Sequence, residues 1–509
     1  MVAPSTLVAT DAAKYRFRTS PRVQPTGTYP GIDKFPEKAL NEIVRVAENP
    51  ISTFSIDVDT ASYAFVRRTL TDGRMPPKEA VRVEEMVNYF PYTYPLPTDR
   101  SKPFKVTTSV LPSPWASENQ LLHIALQGYD IVGTERPRAN VVLLIDTSGS
   151  MAPNDRLPLL KQGFRLFVEQ LRKDDHVAIV TYAGQAQIAL ESTPGSEHQK
   201  ILDAIDQLRA DGSTAGAEGL QRAYALAKHH FDRGAVNRVI LATDGDFNVG
   251  ISHPDELEKF IATQRKTGIY LSIFGVGLGN LNDALMQRLA QAGNGNAAYI
   301  DSLLEARKTM KEELASTLFP IANDVKIQVE FNPAHIAAYR LIGYETRMLR
   351  REDFKNDKVD AGDIGAGHSV TALYEITPTQ AKSAQIDPLR YQPARESAKN
   401  PEGNDSKELA FVKLRYKIPG EDKSNLVNHP VLASSASTSL SSAPVEQRFA
   451  VAVAAFAQRL RGESALDEFQ YSDIISLANS ARGLDTEGYR AEFIRLVRMA
   501  ETMDAVRQR

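Results

Sequence analysis

The feature that most constrains this chain is an unbroken apolar run, Val141 to Ile145, that ends abruptly in Asp146, Thr147, Ser148, Gly149 and Ser150. A strand open to water on one face alternates apolar and polar residues. A continuous run of this length instead fits a central parallel strand buried on both faces. Helical periodicity over Leu157 to Leu171, Gln199 to Leu208, Ala217 to Phe231, Asp255 to Lys266 and Asn282 to Ala292 follows it. Between these lie strand-like runs at Val177 to Tyr182, Ala186 to Leu190, Val236 to Thr243, Tyr270 to Val276 and Ala297 to Ile300. Such alternation predicts an α/β fold, a doubly wound and mostly parallel sheet with helices on both faces.

The end of the first strand is rich in oxygen ligands. Residues two apart in extended backbone project to the same side, so Asp146, Ser148 and Ser150 can aim one carboxylate and two hydroxyls at one point, while Gly149 permits the turn. Two later loops could complete a coordination shell. Gly212, Ser213 and Thr214 precede a helix, and Thr243, Asp244 and Gly245 end a second apolar strand. Loops at the carboxyl ends of neighbouring strands converge where strand order reverses, which brings Thr214 and Asp244 within reach of the same ion. An all-oxygen set suits a hard divalent cation, Mg²⁺ before Ca²⁺ or Mn²⁺, rather than Zn²⁺. Two nearby buried carboxylates also repel each other unless a cation lies between them.

Around this unit the 509 residues imply further domains. Residues 1–50 read as an irregular lead-in in which only Pro36 to Ala47 could form a short helix. Residues 51–100 form an N-terminal helix and strand module. There Asp59 or Thr60 caps a helix through Leu70, and Pro76 and Pro77 start a second one reaching Phe90. Residues 101–137 and 320–420 carry extended, β-branched patterns and read as two halves of a β-sandwich-like domain, in which the α/β unit at 138–318 is inserted or which flanks it. A helix from Leu303 to Leu318 leaves the α/β unit. Residues 378–406 are read as a long loop, 421–443 as a linker, and 444–509 as a helical segment whose first helix is rich in Ala and Val.

Composition sets limits on function. A net charge of -3 gives no electrostatic reason to expect nucleic acid as a partner. No apolar run reaches the roughly 18 residues of a membrane span, so no transmembrane segment is expected. The N-terminus lacks the charged-then-apolar pattern of a secretory signal. The absence of cysteine excludes disulfides and thiolate chemistry and fits exposure to an oxidising compartment. No nucleotide-binding loop, dinucleotide glycine pattern, zinc-protease helix or nucleophile elbow occurs, and Ser148 has no histidine base near it in sequence, so the expectation is a protein that is not an enzyme.

The Asp-Thr-Ser-Gly-Ser, Gly-Ser-Thr and Thr-Asp-Gly set, in that order, resembles the metal-ion-dependent adhesion site of von Willebrand factor type A (VWA) domains. The resemblance covers about residues 138 to 318. It implies that Ser148, Ser150 and Thr214 bind an ion through hydroxyl oxygen and that Asp146 and Asp244 bind it directly or through water. It further implies a protein partner that supplies a carboxylate to the open coordination position. Outside that domain, Phe54 to Tyr63, Arg82 to Phe90 and the helical C-terminal segment are similar to bacterial envelope proteins of the YfbK type. That places the expectation in the periplasm or cell envelope. Family members generally carry an export or lipoprotein signal, whereas this sequence shows neither signal nor lipobox cysteine, which keeps the cytoplasm open as the alternative.

The expected function is therefore metal-dependent protein binding. The alternatives are a subunit of an Mg²⁺-dependent enzyme complex comparable with chelatases and their ATPases, and a scaffold with a structural ion. Four other features have plainer readings. Asp246 either supports a ligand of the ion from behind or is a surface carboxylate. Asp57, Asp59 and Ser62 resemble a second oxygen site but are explained by helix capping. His229 and His230 are surface residues at a helix end, and Trp115 packs an interdomain seam.

Overall fold

The computed structural model describes residues 33–36, 39–99, 101–131, 136–212, 216–245, 254–313, 316, 318–382 and 407–507. In chain order it begins with β1 (Val44–Arg45), β2 (Ile51–Ser55), α1 (Ala61–Thr71), α2 (Val83–Asn88), β3 (Phe104–Pro112) and β4 (Gln120–Gly128). The α/β unit follows: β5 (Arg138–Asp146), α3 (Leu157–Val168), β6 (His176–Tyr182), β7 (Ala186–Pro194), α4 (His198–Gln207), α5 (Gly216–His229), β8 (Ala235–Thr243), α6 (Pro254–Arg265), β9 (Ile269–Val276), α7 (Asp283–Ala292), β10 (Ala297–Ile300) and α8 (Leu303–Arg307). The chain then forms β11 (Pro320–Phe331), β12 (Ile336–Ile342), β13 (Gly362–Gly365), β14 (Ser369–Pro378), β15 (Glu408–Lys417) and β16 (Ser424–Leu432). It closes with helices α9 (Val445–Arg461), α10 (Tyr471–Ser480) and α11 (Tyr489–Arg507).

The α/β sheet runs β10-β9-β8-β5-β6-β7, parallel except for the antiparallel edge strand β7. β5 is central and buried on both faces. Leu143 and Ile145 pack with Phe164 and Phe167 of α3, whereas Val142 and Leu144 face Leu220 and Ala223 of α5 on the other side. Strand order reverses between β5 and β8, so the crevice that a doubly wound sheet offers to ligands opens at their carboxyl ends.

Strands on both sides of this unit in sequence build one sandwich. One sheet runs β1-β12-β14-β4-β3, and the other runs β13-β11-β15-β16 with β2 also paired to β11. Leu122, Ile124 and Tyr374 of the first meet Phe54, Val329 and Leu414 of the second in a shared core. The outer face of the first sheet is covered by helices: Leu121, Ala125 and Leu373 pack into a cluster with α9, α10 and α11. α9 is buried from Phe449 to Ala457, which its small Ala and Val side chains permit.

Several local expectations are corrected. Residues 421–443 are not a linker throughout, because Ser424–Leu432 pairs antiparallel with β15. It is an edge strand with little buried surface, and its polar residues and Pro430 suit an edge while hiding the strand signal. Residues 39–47 contain no helix; Val44 and Arg45 pair with β12 instead. The helix expected from Pro76 is broken at Val81 and Arg82, which are extended, with the Arg82 N–H bonded to Ser62 Oγ at 2.9 Å. α8 ends at Arg307 and a π-type turn, Lys308–Glu312, follows it. Thr60 stands at the N-cap of α1 without a side-chain bond to it.

Arg67 on α1 joins three parts of the fold. Its Nε donates to Asp301 Oδ2 at 2.8 Å, Nη2 to Glu305 Oε2 at 2.7 Å and to Asp301 Oδ1, and Nη1 to Tyr89 at 2.8 Å and to Glu492 of α11 at 3.2 Å. All of this is shielded from water, so the guanidinium is the main compensation for carboxylates that would otherwise be buried alone. Arg67→Ala should lower unfolding free energy by about 3–5 kcal/mol in chemical denaturation. A loss below about 1 kcal/mol, the range of an exposed ion pair, would contradict this account of the seam.

Candidate metal centre

Asp146 is the last residue of β5 and Asp244 follows the last residue of β8. The two strands are paired up to Ile145 and Ala242, so both carboxylates leave adjacent strand ends, and both residues are buried. Asp146 is held from several directions. Its Oδ1 accepts the Ser148 N–H at 2.9 Å, and its Oδ2 accepts the Tyr182 hydroxyl at 3.2 Å and the Thr243 hydroxyl at 3.3 Å. The turn after β5 then places Ser148 Oγ and Ser150 Oγ 3.0 Å apart. Gly149 N–H donates to Gly212 O at 3.0 Å and Asp211 N–H to Thr147 O at 2.8 Å, which draws the loop before α5 against this turn. Thr214 and Asp246 lie outside the described residues.

Burial pushes the Asp146 carboxyl up to about 6, with repulsion from Asp244 adding to the rise and the Ser148 N–H and hydroxyl opposing it. Two buried carboxylates beside two hydroxyls form a hard-oxygen donor set of the kind that Mg²⁺ takes through a few protein ligands while keeping waters. The residues present fit such an ion.

Sequence reasoning missed three residues. Tyr182, at the end of β6, and Thr243 orient Asp146. Arg156, just before α3, donates from Nη1 to Asp244 Oδ2 and to Ser150 O at 2.8 Å, and from Nη2 to Leu278 O at 3.1 Å. Tyr182 and Thr243 end strands beside β5, so the expected strand ends carried a signal for them. Arg156 sits in a loop whose path no periodicity fixes.

The other candidates resolve differently. Oxygens of Asp57, Asp59 and Glu85 lie within 4.8 Å of one another. Guanidinium groups already serve them. Arg347 donates to Asp57 at 2.9 and 3.0 Å and to Asp59 at 2.8 Å, and Arg82 donates to Glu85 at 2.9 Å. Asp59 therefore does not cap α1; its second oxygen accepts the Ala297 N–H at 2.8 Å. Ser62 Oγ donates to Ala80 O at 2.6 Å. His229 and His230 are exposed at the end of α5. Trp115 packs edge-on against Phe469, with ring centroids 6.2 Å apart, joining β3–β4 to the C-terminal helices.

An acid whose native pKa is raised takes up its proton in the folded protein before the unfolded chain does. In the absence of a cation, ionised Asp146 therefore costs stability above pH 6, and that cost fades as the pH falls towards 4. Asp146→Asn removes the charge. The variant should melt several degrees higher than wild type in EDTA at pH 7.5 and should gain nothing from Mg²⁺, whereas wild type should be stabilised by it. A variant that melts below wild type in EDTA would contradict the charge argument.

Models of known families cover most of the chain. The model of the von Willebrand factor type A domain matches residues 140–313. A model described as von Willebrand factor matches residues 30–123, and one described as the C-terminal part of the uncharacterized protein YfbK matches residues 316–503. The chain is 46% identical over 485 residues to the uncharacterized protein YfbK of Escherichia coli, covering 94% of this chain and 83% of that protein. It is 23% identical over 262 residues to inter-alpha-trypsin inhibitor heavy chain H3 of Pongo abelii, covering 48% of this chain and 30% of the heavy chain. Among solved structures, a von Willebrand factor type A protein from Catenulispora acidiphila is 16% identical, with a TM-score of 0.42 over 78% of this chain and 89% of that one. The chain belongs to the YfbK family of bacterial VWA proteins.

Proposed function

We propose that the chain is a non-enzymatic binding module that captures an acidic side chain of a partner protein through Mg²⁺, in the bacterial cell envelope. VWA domains often mediate protein–protein interaction, and that is the setting for the reading. The observation that carries it is the side-by-side placement of the Ser148 and Ser150 hydroxyls, 3.0 Å apart, beside the Asp146 carboxylate. Asp146, Ser148, Ser150, Thr214 and Asp244 would hold the ion, and the bound ion would supply an electrophilic position for a carboxylate. The chain's own residues do the rest. Ser148 N–H, Tyr182 and Thr243 fix Asp146 against rotation, and the 3₁₀ turn over Gly149–Met151, closed by Met151 N–H to Ser148 O at 2.9 Å, brings the two hydroxyls together.

A pull-down from envelope extract with wild type and Asp146→Ala, each in Mg²⁺ and in EDTA, tests this reading. A protein retained only by wild type in Mg²⁺ is expected. Retention that survives both EDTA and Asp146→Ala would overturn the metal bridge. Metal-dependent capture of an ATPase, with hydrolysis lost on mutating Asp244, would favour the enzyme-complex alternative instead. Unfolding of the domain on metal removal would favour a structural ion.

A further inference from the structure

The Arg156 guanidinium lies in a cradle built from three loops at the carboxyl ends of β5, β8 and β9. Ser150 O comes from the first, the Asp244 carboxylate from the second and Leu278 O from the third. The arginine packs closely against the backbone at Gly277. Gly277 has φ +71°, and a Cβ there would lie 2.4 Å from Arg156 Nε. The arginine side chain is 13% exposed, so its charge acts on the centre with little screening by water. The carboxylate it meets is one of the two at the proposed metal site.

Charge arithmetic gives this contact a consequence. Asp146 and Asp244 alone would neutralise a divalent cation. With the one guanidinium that bonds to them added, these groups plus Mg²⁺ carry one net positive charge; Asp33, whose carboxylate is bonded to the Gly279 and Leu281 N–H groups, lies within electrostatic reach of Arg156 but is not among them. A bound carboxylate from outside the chain would then restore neutrality. We propose that Arg156 is a resident countercharge that weakens binding of the bare cation and makes cation and external carboxylate bind cooperatively. This inference rests on the Mg²⁺ reading above. It assigns Arg156 as a positioning residue that acts on the ion through Asp244, and it selects for an acidic partner. By linkage, whatever the carboxylate does for the cation, the cation does equally for the carboxylate.

The test is titration of the full chain with Mn²⁺, followed by electron paramagnetic resonance. It is run at constant ionic strength with chloride or with acetate, the latter as the probe carboxylate. Wild type, Arg156→Gln, Arg156→Lys and Asp146→Ala are compared, with circular dichroism to establish folding. Coupling of the usual size is about 5- to 150-fold. In chloride, Arg156→Gln should bind Mn²⁺ about tenfold tighter than wild type. Acetate should tighten wild type and Arg156→Lys severalfold and leave Arg156→Gln unmoved. Should Arg156→Gln bind Mn²⁺ as wild type does or more weakly, while Asp146→Ala abolishes binding, the countercharge is overturned and the metal reading stands. Should Asp146→Ala bind Mn²⁺ as tightly as wild type, the metal reading itself fails and this inference fails with it.

Discussion

Two carboxylates that repel each other at the ends of adjacent strands are the constraint on which the centre of this protein depends. Asp146 and Asp244 leave β5 and β8 side by side because those strands are paired as far as Ile145 and Ala242. Leaving two such charges buried is unfavourable unless neighbouring groups compensate. The surrounding residues do so in a graded way. Tyr182, Thr243 and the Ser148 N–H hold one carboxylate, and Arg156 meets the other. The apolar layers on both faces of β5 supply the rigidity that keeps these groups at fixed separations.

The same logic operates at a second place with a different outcome. Asp57, Asp59 and Glu85 also bring carboxylate oxygens together, but Arg347 and Arg82 arrive from other parts of the chain and bond to them. Arg67 does likewise for Asp301, Glu305 and Glu492. These clusters tie α1 and α2 to the α/β unit, the sandwich and α11. The centre at the end of β5 differs from them in combining carboxylates with two serine hydroxyls on one turn. That difference in donor type separates a candidate ion site from an interdomain seam.

Much of this was legible in the sequence where signals are local. The doubly wound sheet followed from an apolar run too continuous for a one-sided strand. The oxygen-rich turn at its end was visible too, but a 3₁₀ turn over Gly149–Met151, not extended backbone, brings the Ser148 and Ser150 hydroxyls together. What stayed hidden depends on long-range partners. Arg156 carries no periodic signal, and its role appears only once the β8 and β9 loops have met it. Asp59 reads as a helix cap because a carboxylate before a helix usually is one, but Arg347, nearly 300 positions away, takes it. β16 reads as a linker because an edge strand needs no apolar alternation when its side chains face water.

The central claim, that the β5 turn holds a hard divalent cation, is tested most directly by anomalous diffraction from crystals grown with Mn²⁺. The account predicts a single strong peak within about 2.0–2.4 Å of Ser148 Oγ and Ser150 Oγ, as expected for oxygen ligands of a small hard cation. A peak among Asp57, Asp59 and Glu85, with none at the two serines, would contradict it.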